Sequence, residues 1–96
     1  MLNIDKKAED RSLLISLSGE LDSITSPDLD REVRELENVD EVVLDLKGLA
    51  YTSSAGLRVI MGLKRRLAGR TLRLENIRPE VREVFDMTGA SVLLGL

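Results

Sequence analysis

Thr52, Ser53 and Ser54 stand in a row, followed by Ala55, Gly56 and Leu57. An apolar run ends just before them, and a two-faced helical pattern begins just after. Hydroxyls at such a junction can do two things. They can cap the helix, because Ser and Thr oxygens accept from the free N–H groups of its first turn. They can also be modified. A phosphate there would face those N–H groups and the positive end of the helix dipole, so the fold would tolerate it. The surface would meanwhile gain ~1.5–2 negative charges. Ser54 is placed for both roles, as a cap when bare and a phosphate carrier when modified. A docking surface could be switched off in this way without unfolding. Gly56 costs ~1 kcal/mol relative to Ala inside a helix. Its expected use is to let a partner or another backbone approach closely.

Other chemistry is thinner. The chain has no histidine and no cysteine, which removes Cys/His zinc sites, Ser-His-Asp hydrolysis, phosphohistidine carriers, thiol nucleophiles and disulfides. Asp45 ends an apolar strand pattern, as a phosphorylatable aspartate would. The acidic pair that such a site needs for magnesium is missing near the N-terminus, so a structural acid is the better reading. Lys64, Arg65 and Arg66 fit a solvated helix end, where cations suit the dipole. No Walker-type glycine-rich loop is present, and nothing forms a catalytic pair. The expectation is a chain that is not an enzyme and holds no cofactor or metal.

The elements that position these residues follow from periodicity. The segment from Leu2 to Leu21 reads as two strands joined by a turn at "AEDR", with "SLLISLS" the more buried strand. Ser26-Pro27 looks like an N-cap and a first helical position. Leu29, Val33 and Leu36 continue one apolar stripe, giving a helix from about Pro27 to Glu37. "EVVLDLKGL" is a short central strand that Gly48 brings to a close. A helix over Ala55–Ala68 buries Leu57, Ile60, Leu63 and Leu67, and Gly69 stops it. "TLRLENI" is a further strand. A third helix opens at Pro79 and runs through Val81, Val84, Phe85 and Met87, and "SVLLGL" closes the chain as a short strand or apolar tail. Strands and helices alternate from Glu41 onward, which implies right-handed crossovers and parallel pairing. The leading hairpin makes the sheet mixed, an α/β fold. Val42–Leu46 should be central with Leu13–Leu17 beside it, as the most apolar strands.

The 96 residues make one small domain, 1–96. Apolar residues are 43% and aromatics 2%, so the core must be aliphatic. Seventeen acids against fourteen bases give a net charge of −3, without the basic excess of nucleic-acid binders. Charges begin at Asp5, unlike a signal peptide, and no apolar run approaches the ~20 residues of a membrane span. The expected location is cytoplasmic, without membrane insertion.

Three blocks carry a resemblance: "LSGELDSITSPDL", "VVLDLKGLAYTSSAGLRVIMGLKRRL" and "VREVFDMTGA". In order and spacing they resemble the STAS-domain anti-sigma-factor antagonists of bacteria, the SpoIIAA/RsbV-like type, over Ser12 to Ala90. The resemblance implies a mixed sheet flanked by helices. It also implies a switch. The bare antagonist binds an anti-sigma factor that is also a serine kinase, and a sigma factor is released. The kinase, which binds the ATP, phosphorylates a loop serine and ends the binding; a phosphatase restores it. Aligning on Gly56-Leu57 puts Ser54 on the modified serine, Ala55 on the second hydroxyl residue and Ser53 on the usual acid. A shifted register would make Ser53 the target. Asp22 matches the acid of the family's Gly-Glu-Leu-Asp block. The implied partner surface is an exposed loop of Ser53, Ser54 and Gly56 with Asp22 and Thr25 nearby, on a monomer or weak dimer. For Asp22 and Thr25, ordinary turn chemistry is the competing reading. The alternatives within the fold are a subunit of a stressosome or lipid-transport complex, or a constitutive binding module that is never modified. Many members continue beyond the position of Gly89, which makes "SVLLGL" an edge that truncation would expose.

Overall fold

The structure is a computed structural model that describes residues 1–34, 36 and 38–96. Two strands open the chain, β1 (Leu2–Glu9) and β2 (Ser12–Leu21). They pair antiparallel from Leu2↔Gly19 to Glu9↔Ser12. The turn is tighter than "AEDR": Ala8 and Glu9 are still paired, and only Asp10 and Arg11 cross over, Asp10 with φ 54°. An Arg11–Asp40 ion pair at 2.6 Å closes that end.

Helix α1 (Ser26–Arg34) leads into β3 (Glu41–Thr52), α2 (Ser54–Arg66) into β4 (Thr71–Glu75), and α3 (Pro79–Met87) into a short α4 (Ala90–Leu93). Strand β3 runs parallel to both β2 and β4, in the order β1-β2-β3-β4. The sheet is therefore mixed, and Leu13–Leu17 and Val42–Leu46 both lie in its interior strands. Alternate side chains of these strands are sealed from water: Leu13, Ile15, Leu17 and Leu21 from β2, with Val42, Leu44, Leu46 and Leu49 from β3. Leu29 and Val33 of α1 join them, as do Leu57, Ile60 and Leu63 of α2, Leu67 just beyond it, and Val81 and Phe85 of α3. The α2 inner face is the one its periodicity predicts. The core is aliphatic apart from Phe85.

Three expectations differ from the structure. The central strand does not end at Gly48; it continues to Thr52. Gly48 marks a close cross-strand approach, since a Cβ there would lie 2.7 Å from Ser18 Cβ, where the β2–β3 register shifts. Asp45 is accordingly inside the strand rather than at its end. Helix α3 runs through Met87 as expected, with Val81 and Phe85 inward and Met87 79% exposed. "SVLLGL" is neither strand nor tail: Ala90–Leu93 form one helical turn after Gly89 at φ 79°. Ser91 donates to Asp86 and ties that turn to α3. Glu37, where the α1 pattern was expected to end, lies outside the described residues.

Candidate functional site

Strand β3 delivers the three hydroxyls to one end of the sheet. Thr52 is the last strand residue, paired with Leu21 and 1% exposed. The Ser53 N–H donates to the Leu21 carbonyl at 2.9 Å, so its backbone is still extended, at φ −98° and ψ 176°. That conformation is the one a helix N-cap needs. The Ser53 hydroxyl accepts from the Gly56 N–H at 3.4 Å, and its carbonyl accepts from Leu57 at 3.1 Å. Ser53, not Ser54, caps α2. Ser54 is the first helical residue and is exposed. Among the described residues no hydrogen bond engages its hydroxyl. One serine is occupied by structure, and its neighbour is left to solvent.

Of the two uses expected of Gly56, close approach within the chain is the one seen in the fold. It is buried, and its close neighbours belong to its own chain. A Cβ there would lie 2.6 Å from Leu21 Cγ, 2.6 Å from Thr52 Oγ1 and 2.8 Å from Leu21 Cδ2. The missing side chain lets α2 start flush against β2 and β3. Gly56 thus positions the loop rather than offering an open surface, and Gly56→Lys is expected to damage the fold.

Asp22 and Thr25 sit beside this junction, in the turn that continues from Leu21. Asp22 Oδ1 accepts from the N–H groups of Ile24 at 2.9 Å and Thr25 at 3.0 Å. The Thr25 hydroxyl accepts from the Asp22 N–H and donates to the Glu20 carbonyl, both at 2.9 Å. Asp22 is half-buried and Thr25 buried. The Thr25 N–H holds the Asp22 carboxyl below its ordinary pKa; partial desolvation works against this, and the Ile24 N–H and Thr25 hydroxyl add to the lowering. Both residues fold the turn. Between them the turn points Ser23 and Ile24 outward, Ile24 83% exposed. Sequence reading passed over Ile24 because an isolated apolar residue in a turn has no periodicity to assign it.

The other candidates are held by the fold. Asp45 accepts from Asn76 Nδ2 and from the Lys47 N–H, both at 3.0 Å, and the Asn76 bond leads in lowering its pKa. It braces β3 against the segment after β4. Lys64, Arg65 and Arg66 are exposed in the last turn of α2. Arg58 lies one turn after Ser54, and the two border one groove. The i, i+4 spacing was the available signal for that neighbourhood. Among the described residues, no group of three His, Cys, Asp or Glu could hold a metal ion. No described helix is long and apolar enough to cross a membrane.

The sheet order, the Ser53 cap and the exposed Ser54 can be set beside known proteins. The family model described as "STAS domain" matches residues 3–94. The chain belongs to the STAS family. The putative anti-sigma factor antagonist BtrV of Bordetella bronchiseptica is 38% identical over 83% of this chain and 72% of its own. The anti-sigma-B factor antagonist of Bacillus subtilis is 28% identical over 99% of this chain and 90% of its own. The anti-sigma factor antagonist SpoIIAA superposes in its unphosphorylated form with a TM-score of 0.80, at 23% identity, over 97% of this chain and 83% of that one. In its phosphorylated form, from Bacillus, the TM-score is 0.76 at 22% identity, over 97% and 86%. At that identity the likeness to SpoIIAA is one of fold.

Proposed function

We propose that this STAS domain is an anti-sigma-factor antagonist: a cytoplasmic binding module that engages an anti-sigma factor and so releases a sigma factor. Ser54 is its switch. The observation that carries the reading is the division of labour at the loop. Ser53 caps α2 through its own hydroxyl, while Ser54 stands exposed at the first helical position with its hydroxyl unengaged. Phosphate on Ser54 would disturb no bond of the fold and would lie near the positive end of α2. At the interface it would set a charge that a bound partner must desolvate, which weakens binding strongly unless a counter-ion is supplied. The names of the relatives support the same class of partner. The partner would act as the serine kinase and bind the ATP, and a phosphatase would reset the switch.

The test uses the purified chain, the anti-sigma factor of the same organism and ATP. Peptide mass spectrometry should place phosphate on Ser54, and the modified chain should lose its affinity in titration calorimetry while melting near the unmodified temperature. Phosphate on Ser53 would shift the register by one residue. Binding without phosphate on either serine would make the chain a constitutive module. Absence of binding would end the antagonist reading.

A further inference from the structure

Helix α2 carries charge of one sign. Ser54–Arg66 contains Arg58, Lys64, Arg65 and Arg66 and no acid, in a chain of net charge −3. Helices α1 and α3 each have an acid in the first turn, Asp28 and Glu80, and α2 has none. Arg31 and Arg34 of α1 and Arg82 of α3 pair with acids on their own helices. Among the described residues, none of the four α2 cations does so.

Arg58 and Arg65 lie two turns apart, on one side of the helix. They border a groove of about 310 Å³ between α2 and the α3–α4 segment, with Ser54 also on its lining. Leu57, Met61 and Leu93 supply its apolar wall. Leu93 is 61% exposed, and its neighbour Val92 is 83% exposed. Exposed cations beside exposed large apolar side chains fit a ligand with acids along one side and apolar residues along the other. A nucleic acid would not use the apolar wall.

We propose that this groove takes an acidic, amphipathic segment of the anti-sigma factor, with its carboxylates on Arg58 and Arg65 and its apolar side chains on Met61 and Leu93. The proposal rests on the antagonist reading and adds the chemistry of the partner's contact. It also changes how the phosphate acts: with Arg58 as its counter-ion, it blocks the groove rather than standing as an uncompensated charge. Ser54 lies four residues before Arg58 on the same helix, within pairing distance for side chains on one face. A phosphate on Ser54 draws Arg58 to itself and repels the incoming carboxylates at the same end of the groove.

Calorimetric titration with the purified anti-sigma factor at low and high salt tests this. Five chains are compared: wild type, Ser54→Glu, Arg58→Gln with Arg65→Gln, Leu93→Ser, and Arg73→Gln as a distant cation control. All substituted positions are exposed, and unchanged melting curves verify folding. The double arginine variant should bind about tenfold more weakly, with a flatter salt dependence. Leu93→Ser should weaken binding severalfold, and Arg73→Gln should bind as wild type. If the double variant keeps both wild-type affinity and salt slope while Ser54→Glu loses binding, the groove proposal is overturned and the switch stands. If wild type does not bind, both fall. If the double variant instead loses only sedimentation with anionic vesicles, the groove faces a membrane and the proposal fails.

Discussion

Gly56→Ala is the sharpest test of how the loop is built. Alanine normally helps a helix, by ~1 kcal/mol over glycine. Here the added methyl would lie 2.6 Å from Leu21 Cγ and 2.6 Å from Thr52 Oγ1, distances at which something must move. The threonine oxygen can rotate away at the cost of its bond to the Ser53 carbonyl. Leu21 Cγ cannot, because it is the branch carbon of a side chain that is 0% exposed and packed into the core. Overpacking of this kind costs ~1–3 kcal/mol. Set against the helix gain, the net expectation is a loss of about 1 kcal/mol, or about 4–8 °C in melting temperature for a domain of this size. Thermal and urea unfolding followed by circular dichroism measure it directly. A variant that melts at or above wild type would show that Leu21 yields freely. The glycine would then need another explanation, such as close approach of a partner.

Three further outcomes are expected. Leu63→Ala, at a site 2% exposed, should cost ~2–4 kcal/mol in urea unfolding; a shift too small to measure would mean that α2 does not bury this face. Ser53→Ala should cost about 1 kcal/mol through the lost cap, while Ser54→Ala should unfold within about 0.5 kcal/mol of wild type; the reverse order would return the cap to Ser54. Asp22 is held below its ordinary pKa, so its contribution is complete above the unfolded carboxylate's titration range and is lost as pH falls through its folded-state value. Urea midpoints measured down an acid series should therefore drop more shallowly in Asp22→Asn than in wild type, and parallel curves would contradict the Asp22 bonds.

Local pattern alone determined much of this protein. The helical repeat of Leu57, Ile60, Leu63 and Leu67 depends only on residues one or two turns apart, so the buried face of α2 was legible in the chain. The same holds for the two interior strands, whose apolar runs have no other place in a domain this small, and for the mixed sheet that the hairpin and the alternating elements require. Three blocks in family order were enough to bring Ser53 and Ser54 forward as candidates. Tertiary structure decided what each of those residues does. Ser53 is the cap because its N–H reaches Leu21 on the neighbouring strand and holds its backbone extended until Ser54; no local feature of "TSSAG" carries that bond. Gly56 is a packing glycine because Leu21, distant in sequence, presses on it. Strand β3 passes through Gly48 because it goes on pairing with β2 as far as Leu21, and Ser91 ties the Ala90–Leu93 turn to Asp86. Periodicity reports which side of an element is buried. Which backbone group finds a partner across the sheet, and where two elements come too close for a Cβ, are set by residues that meet only after the chain has folded.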